Sequence, residues 1–416
     1  MDLRSFIGKP RTLSGLSTEF EIAKTLQKRP GETLYFKDVK DYRFDVVGNV
    51  ITGRETVYRA LGTDKERYVS DVLRFHKNPI EPVIVGEGAC QEKECSLYDL
   101  PILRHFEKDG SRYITSGIVI ARDEEYSRNA SIHRLMLHED NRLGIRIVPR
   151  HLRMYLDRSE KKGEDLDIAI AIGVHPIVFY SASYSPPLGY DEFSFAGAVM
   201  GKPLEMVRCR TVDAEAPAHA EFVIEGRIHC GERAPEGPFA DVTGTYDIVR
   251  DEPVVEVKKV THRKGAIYQS LLPSSMEHRL FMGMPQEPRI HSSVSEVAGV
   301  SNVCLSDSGR NWLEGVLSLK RGRWDIKKVI EKAFLGHPSM KHVIVVDEDI
   351  DVFNPVEVGF AISTRFQAHK DAHVYRNMRG STLDPSTDED GKTTKVGIDA
   401  TIPLGKEPDY ESARIP

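Results

Sequence analysis

Asp167-Ile-Ala-Ile-Ala-Ile-Gly-Val174 sets Ile168, Ile170 and Ile172 in strict alternation with alanine. A period of two with β-branched residues predicts a strand, and the absence of polar residues between the isoleucines predicts a buried one. Ser116-Gly-Ile-Val-Ile-Ala121 reads the same way, and Glu221 to Cys230 and Pro253 to Val260 have the apolar, β-branched content of sheet strands. Several strands at this spacing across residues 105–265 point to a barrel or sandwich. Upstream, the first hundred residues mix short helical and strand patterns, the most legible being the strand Phe44 to Asn49. Downstream, Ile326, Val329, Ile330, Ala333 and Phe334 recur at helical spacing, and Gly336 with Pro338 stops that helix. Val343 to Val346 follows as a buried strand and Val356 to Ile362 continues the unit, so the last third predicts a separate α/β layer domain. The Gly, Ser, Thr and Asp content of Arg379 to Lys395 predicts a mobile loop.

The chain has 416 residues, with 57 Lys+Arg against 63 Asp+Glu for a net charge of −6, 40% hydrophobic and 29% charged residues. This is globular composition with ample length for a core. The acidic excess excludes a general nucleic-acid binder, because no basic stripe is available for phosphate backbones. Arg142, Arg146, Arg150 and Arg153 could still hold one small anion. Met1-Asp2-Leu3-Arg4 is not a secretory start, and the most apolar stretch, Ile168 to Val174, is far short of the ~20 residues of a membrane span. The expectation is a cytoplasmic protein without a membrane span. Its five cysteines, Cys90, Cys95, Cys209, Cys230 and Cys304, are expected as reduced thiols.

Three local signals are weak. Gly391-Lys392-Thr393 resembles the end of a phosphate loop, but Ser386 stands where that loop needs glycine. Asn129-Ala-Ser131 fits a glycosylation sequon without a signal peptide to deliver it. The acidic run Asp347 to Asp351 lacks the glycine and closing glutamate of a calcium loop.

Two segments stand out for chemistry. One is Asn129-Ala-Ser-Ile-His-Arg134, followed by Pro149-Arg150-His151. The other is Pro235-Glu-Gly-Pro-Phe-Ala-Asp241, followed by Gly244 and Tyr246. Two prolines and a glycine make the second a stiff, non-regular loop that fixes Glu236 relative to Asp241. On spacing alone it is as readily a structural turn as a site.

Together with Tyr190 to Gly197, Glu205 to Cys209, Pro217 to Gly226 and Lys395-Val-Gly-Ile-Asp-Ala-Thr401, these segments resemble the UbiD family of decarboxylases over most of the chain and in the family's order. The chain looks most like the family's compact archaeal branch. The resemblance implies a mixed α+β protein in three parts. These are an N-terminal α/β domain (1–104), a central split β-barrel that binds prenylated FMN (105–300), and a C-terminal α/β domain used in oligomerisation (301–416). It implies a divalent metal, Mn²⁺ or Mg²⁺, held by residues matching Asn129, His151 and Glu192 and bridging to the flavin phosphate, with K⁺ nearby. O, N and O donors suit a fairly hard ion. Ser131, Ile132, His133 and Arg134, with Arg150 and His151, match segments lining the flavin, Arg150 being a departure from the residue usual there. Lys395 matches a lysine that approaches the phosphate. Arg134, Glu236 and Asp241 match the catalytic trio.

The implied reaction explains that inventory. Loss of CO₂ from an α,β-unsaturated acid would leave a vinylic carbanion with no carbonyl to delocalise into, so a cofactor must accept the electron pair. On this reading Arg134, paired with Glu236, orients the substrate carboxylate, and Asp241 returns the proton. As a donor near neutral pH, Asp241 is expected to titrate above the reference ~3.9. The archaeal likeness favours a phosphorylated branched enoic acid, trans-anhydromevalonate 5-phosphate, giving isopentenyl phosphate and CO₂ in a modified mevalonate pathway. The Arg142 to Arg153 cluster is the candidate phosphate subsite. The alternatives are an aromatic or hydroxybenzoic acid as substrate, a non-catalytic flavin- or phosphate-binding protein, and a split-barrel flavin reductase. A flavin prenyltransferase supplying the cofactor and a homo-oligomeric state are also implied.

Overall fold

The structure is a computed structural model and describes residues 1–410. The chain divides into two compact units, Met1–Phe281 and Met282–Pro416. In the first, a nine-stranded sheet runs Tyr113–Ile114, Leu135–Leu137, Arg142–Ile145, Arg250–His262, Phe222–Glu236, Leu166–Ile172, Ile118–Asp123 and Ser127–Ile132. The ninth strand, Lys93–Cys95, pairs with Arg250–His262 off that path. All of these pairings are antiparallel, and Leu166–Ile172 lies between Phe222–Glu236 (Ile170 opposite Ile224) and Ile118–Asp123 (Ile168 opposite Ala121). Ile168, Ile170 and Ile172 pack with Leu135, Ile145, Ile224 and Val255 in the main core. Ala169 and Ala171 on the other face are equally buried, which is why the strand has no polar period.

Two strands outrun their sequence patterns. Phe222–Glu236 and Arg250–His262 stay paired out to Glu236 opposite Arg250, with bulges on the way. Pro235 and Glu236 are therefore the last rungs of a ladder rather than part of an irregular loop. The turn begins at Gly237, whose φ of +108° and close approach to the Ile248 carbonyl exclude a side chain. Beyond it, Phe239–Ala240 and Tyr246–Asp247 form a short hairpin.

A four-stranded sheet, Arg11–Ser14, Leu34–Lys37, Asp45–Gly48 and Ile267–Ser270, takes its last strand from far along the chain. The helix His151–Lys162 packs on the large sheet, while Pro176–Ser183 and Glu192–Met200 pack on each other. Among the described residues no helix is long and apolar enough to cross a membrane.

The second unit is a five-stranded sheet ordered Val300–Leu305, Glu314–Leu319, His342–Asp347, Lys392–Asp399, Ala372–Arg379. Val329, Ile330, Ala333 and Phe334 of the helix Ile326–Gly336 pack on Leu317, Val343 and Val345. Val358 and Ala361 of the helix Pro355–Arg365 pack on Val316, Ile344 and Val346, which point to the other face. The expected mobile loop is shorter than its composition predicts. Lys392–Asp399 alternates, with Thr393, Lys395 and Gly397 facing inward, and pairs on both sides. Only residues 380–391 form the connection, closed by Gly380 N–H to the Gly391 carbonyl at 2.9 Å.

Glu277 is 1% exposed and accepts the Ile51 N–H at 3.1 Å, and burial pushes its carboxyl up to about 8. The folded chain then keeps a proton that the unfolded chain releases near pH ~4.3. Its contribution to stability is complete below that value and is lost as pH rises through about 8. Thermal midpoints measured from pH 5 to pH 8 should therefore fall less steeply in Glu277→Gln than in the parent chain.

Candidate active site

Asn129, Ser131 and His133 share one face of the chain through Ser127–Ile132, because alternate strand residues point the same way. His133 Nδ1 lies 2.9 Å from the Arg146 carbonyl and Nε2 lies 2.9 Å from Ser131 Oγ. Burial pushes this imidazole down to about 4, so it is neutral. A carbonyl can only accept, which places the proton on Nδ1 and makes Nε2 the acceptor for the Ser131 hydroxyl. Asn129 Oδ1, 3.3 Å from Ser131 Oγ, is thereby left as an oxygen with a lone pair to offer.

Glu192 opens the helix Glu192–Met200 behind the capping residue Asp191. Its Oε1 accepts from Asn129 Nδ2 at 2.8 Å and its Oε2 from the Ala130 N–H at 2.9 Å. Arg128 ties the preceding positions together by pairing with Asp191 and Glu215. Burial, with Asp191 alongside, pushes the Glu192 carboxyl up to about 8. A buried carboxyl group beside an amide oxygen is a donor set that fits a hard divalent ion, whose charge would favour the carboxylate form. His151 is the first residue of His151–Lys162 and is half-buried. Among the described residues no cluster of three His, Cys, Asp or Glu side chains is arranged to hold a metal.

Arg134 follows the same strand directly and is 9% exposed. Its Nε and Nη2 donate to Glu236 Oε1 and Oε2 at 2.9 and 2.7 Å, a bidentate pair with a fully buried carboxylate. Nη1 donates to Asp241 Oδ2 at 3.0 Å and Nη2 also to Asp247 Oδ2 at 3.0 Å, while the guanidinium lies over the Phe239 ring at 4.8 Å. Burial disfavours its charge, but Glu236, Asp241 and Asp247 outweigh burial and push its pKa up. The structure thus brings Arg134, Glu236 and Asp241 together across 107 residues of chain.

Asp247 was not legible in the sequence. It enters because Phe239 pairs with it across the hairpin, a register set by the turn between them. Burial would raise its carboxyl, but Arg250, Arg134 and Arg146 hold it below the usual carboxylate range.

The remaining expected residues are more dispersed. Ile132 is half-buried, and exposed Arg150 donates to Ser185 Oγ at 3.1 Å. Lys395 belongs to the second unit, where it is 2% exposed, donates to the Pro338 carbonyl and lies over the Phe334 ring at 5.1 Å. Burial pushes its amine down to about 8. The arginine cluster is mostly neutralised: Arg142 pairs with Glu232, Arg146 with Glu252, and Arg153 with Asp157. Asn129 is 3% exposed, which rules it out as a glycosylation site in the folded chain. The acidic run holds arginines, with Asp347 bonded to Arg321 and Arg365 and Asp349 to Arg365. All five cysteines are free.

Three family models match in order. The UbiD N-terminal domain of 3-octaprenyl-4-hydroxybenzoate carboxy-lyase covers residues 14–75, its Rift-related domain 82–276 and its C-terminal domain 279–400. The chain belongs to the UbiD family of carboxy-lyases. It is 44% identical to an anhydromevalonate phosphate decarboxylase of Methanothermobacter thermautotrophicus over 94% of this chain and 93% of that one. Among solved structures it resembles the UbiD-class enzyme HmfF of Pelotomaculum thermopropionicum in complex with FMN. That match has a TM-score of 0.94 and 38% identity, and covers 98% of this chain and 94% of that one. An evolved dimeric form of HmfF in complex with prFMN matches at a TM-score of 0.92 and 36% identity, covering 100% of this chain and 97% of that one.

Replacing Arg134 by Met would strand the Glu236 carboxylate in the interior, a loss of about 3–5 kcal/mol. Urea unfolding should show most of that loss recovered in Arg134→Met/Glu236→Gln, because the double variant buries no unpaired charge.

Proposed function

We propose that the chain is a prenylated-FMN-dependent decarboxylase of a phosphorylated α,β-unsaturated acid. Its substrate on this reading is trans-anhydromevalonate 5-phosphate, converted to isopentenyl phosphate and CO₂. The observation that carries the chemistry is the buried Arg134 with Glu236 on one edge of its guanidinium and Asp241 on the other. The substrate follows from the archaeal relative, a decarboxylase of that acid matched along nearly its whole length.

Prenylated FMN supplies, when bound, the electron sink that a vinylic carbanion lacks. In this reading Asn129, Glu192 and His151 would hold Mn²⁺ or Mg²⁺, whose charge would favour binding of the flavin phosphate, and K⁺ is a further candidate ion. Ser131, Ile132, His133 and Arg150 line the flavin. The large sheet closes as a split barrel around the cofactor, in a 105–300 domain between α/β domains 1–104 and 301–416. Arg134 orients the substrate carboxylate, and Glu236 fixes the guanidinium plane so that the carboxylate meets N–H donors in a set direction. Asp241, the most exposed of the carboxylates on Arg134, delivers the proton that replaces CO₂. Its Oδ2 accepts from Arg134 at 3.0 Å and its Oδ1 from the Val242 N–H at 2.6 Å, so on this reading it turns away from Arg134 to aim its proton at the substrate. A flavin prenyltransferase supplies the cofactor, and the chain assembles as a homo-oligomer, as the dimeric HmfF form does.

Protein loaded with prenylated FMN and Mn²⁺ should release CO₂ from the phosphorylated enoate and not from 4-hydroxybenzoate. Turnover of the aromatic acid alone would contradict the substrate. Asp241→Asn should retain the flavin absorption spectrum and lose turnover, and an active Asp241→Asn enzyme would remove its role as acid.

A further inference from the structure

Arg134 carries one more carboxylate than the proposed chemistry uses. Glu236 fixes one edge of the guanidinium and Asp241 is the acid, yet Asp247 also bonds Nη2 at 3.0 Å. Beyond Arg134, Asp241 has the Val242 N–H on its Oδ1 at 2.6 Å, whereas Asp247 is held by cations as well. Its Oδ1 pairs with Arg250 at 2.6 Å and accepts the Ile248 N–H at 3.0 Å, and Arg146 Nε lies 3.9 Å from its Oδ2. Its side chain is 8% exposed against 16% for Asp241. The two aspartates belong to one hairpin, with Asp241 N–H bonded to the Thr245 carbonyl at 3.1 Å and Gly244 N–H to the Asp241 carbonyl at 2.8 Å. Asp247 lies at the paired root of that hairpin and Asp241 at the start of its turn.

We infer that Asp247 is a positioning residue that keeps the Arg134 guanidinium in place while Asp241 turns away from it to deliver its proton. The inference rests on the decarboxylase reading above. When Asp241 leaves, Nη1 loses its acceptor, but Nε and Nη2 stay bonded to Glu236 and Asp247. The guanidinium plane and its charge balance then survive the step. Without Asp247 the guanidinium leans on Asp241, which holds that group in its acceptor form and hinders its release. The charged and titratable groups facing Asp241 are Arg134, Glu236 and Asp247 around the guanidinium, and His278 from the helix Met276–Gly283. Burial leaves His278 with a lowered pKa and therefore neutral near pH 7, so the change in charge on removing Asp247 acts through Arg134.

The test uses enzyme loaded with prenylated FMN and Mn²⁺, comparing the parent chain with Asp247→Asn and Asp247→Glu over the full pH range of kcat and KM. In Asp247→Asn, kcat should fall at least about tenfold with KM changed far less, and the alkaline limb of kcat should move down by about one pH unit. Asp247→Glu keeps the charge but displaces it by a methylene, and should lie between the two in both respects. An Asn variant that keeps its flavin spectrum and its thermal midpoint but shows the parent's kcat and alkaline limb overturns the inference. So does a fall in kcat with the limb unmoved, which is what a purely structural role would give. If the Asn variant does not fold, Asp247→Glu decides: a lowered limb supports the role, and the parent's limb overturns it. Should the loaded parent turn over an aromatic acid instead, the same comparison is made on that acid. A parent that turns over neither acid overturns the decarboxylase reading and this inference with it.

Discussion

A guanidinium enclosed by carboxylates, away from water, sets the geometry of this site. Glu236 is fully buried at the last rung of a fifteen-residue strand, and a carboxylate there is tolerable only with a cation bonded along both oxygens. Arg134 provides that bond from a different strand connection, and its remaining donors reach into the hairpin beyond Gly237. The register of the large sheet, the turn at Gly237 and the hairpin thus converge on a single planar group. Moving any of them would leave a charge buried without a partner, so the conformation of the site is enforced by the same electrostatics that its chemistry needs.

The run from Ser127 to Arg134 connects this clamp to the second polar cluster. Asn129, bonded to Glu192, and Arg134, bonded to Glu236, are separated by a few residues of nearly extended chain. One short run of chain, a strand and the two residues after it, therefore carries both the oxygen suited to a cation and the guanidinium suited to a carboxylate. In the proposed reading this fixes the distance between the anchor of the cofactor and the place where the substrate carboxylate sits. Strands are more rigid than loops, which suits a reaction whose partners must be aligned before a bond breaks.

Much of this is legible in the sequence. The alternation through Ile168, Ile170 and Ile172 marks a strand buried on both faces because no polar residue interrupts it. The helix Ile326–Gly336 was legible from its apolar spacing and the proline beyond it. Composition misled at Lys392–Asp399, where Thr393, Thr394 and Val396 form a paired strand beside a loop rich in Gly, Ser and Asp. The segment around Glu236 misled differently: its prolines and glycine suggested an irregular loop, while pairing with Arg250 extends the ladder through it. Asn129 and Glu192 lie 63 residues apart, and only likeness to a family could join them on paper. Asp247 had no such help, because its approach to Arg134 depends on how a five-residue connection turns.

In the proposed reading the Arg134 clamp receives the substrate carboxylate beside a flavin anchored at Asn129 and Glu192. The most direct measurement is a crystal structure of the flavin- and Mn²⁺-loaded protein with an unreactive saturated analogue of the phosphorylated acid. The expected result is metal density at Asn129 and Glu192 beside the flavin phosphate, the analogue's carboxylate on Arg134, and Arg134 still bonded to Glu236. Flavin density elsewhere in the chain, or an analogue carboxylate with no bond to Arg134, would contradict it.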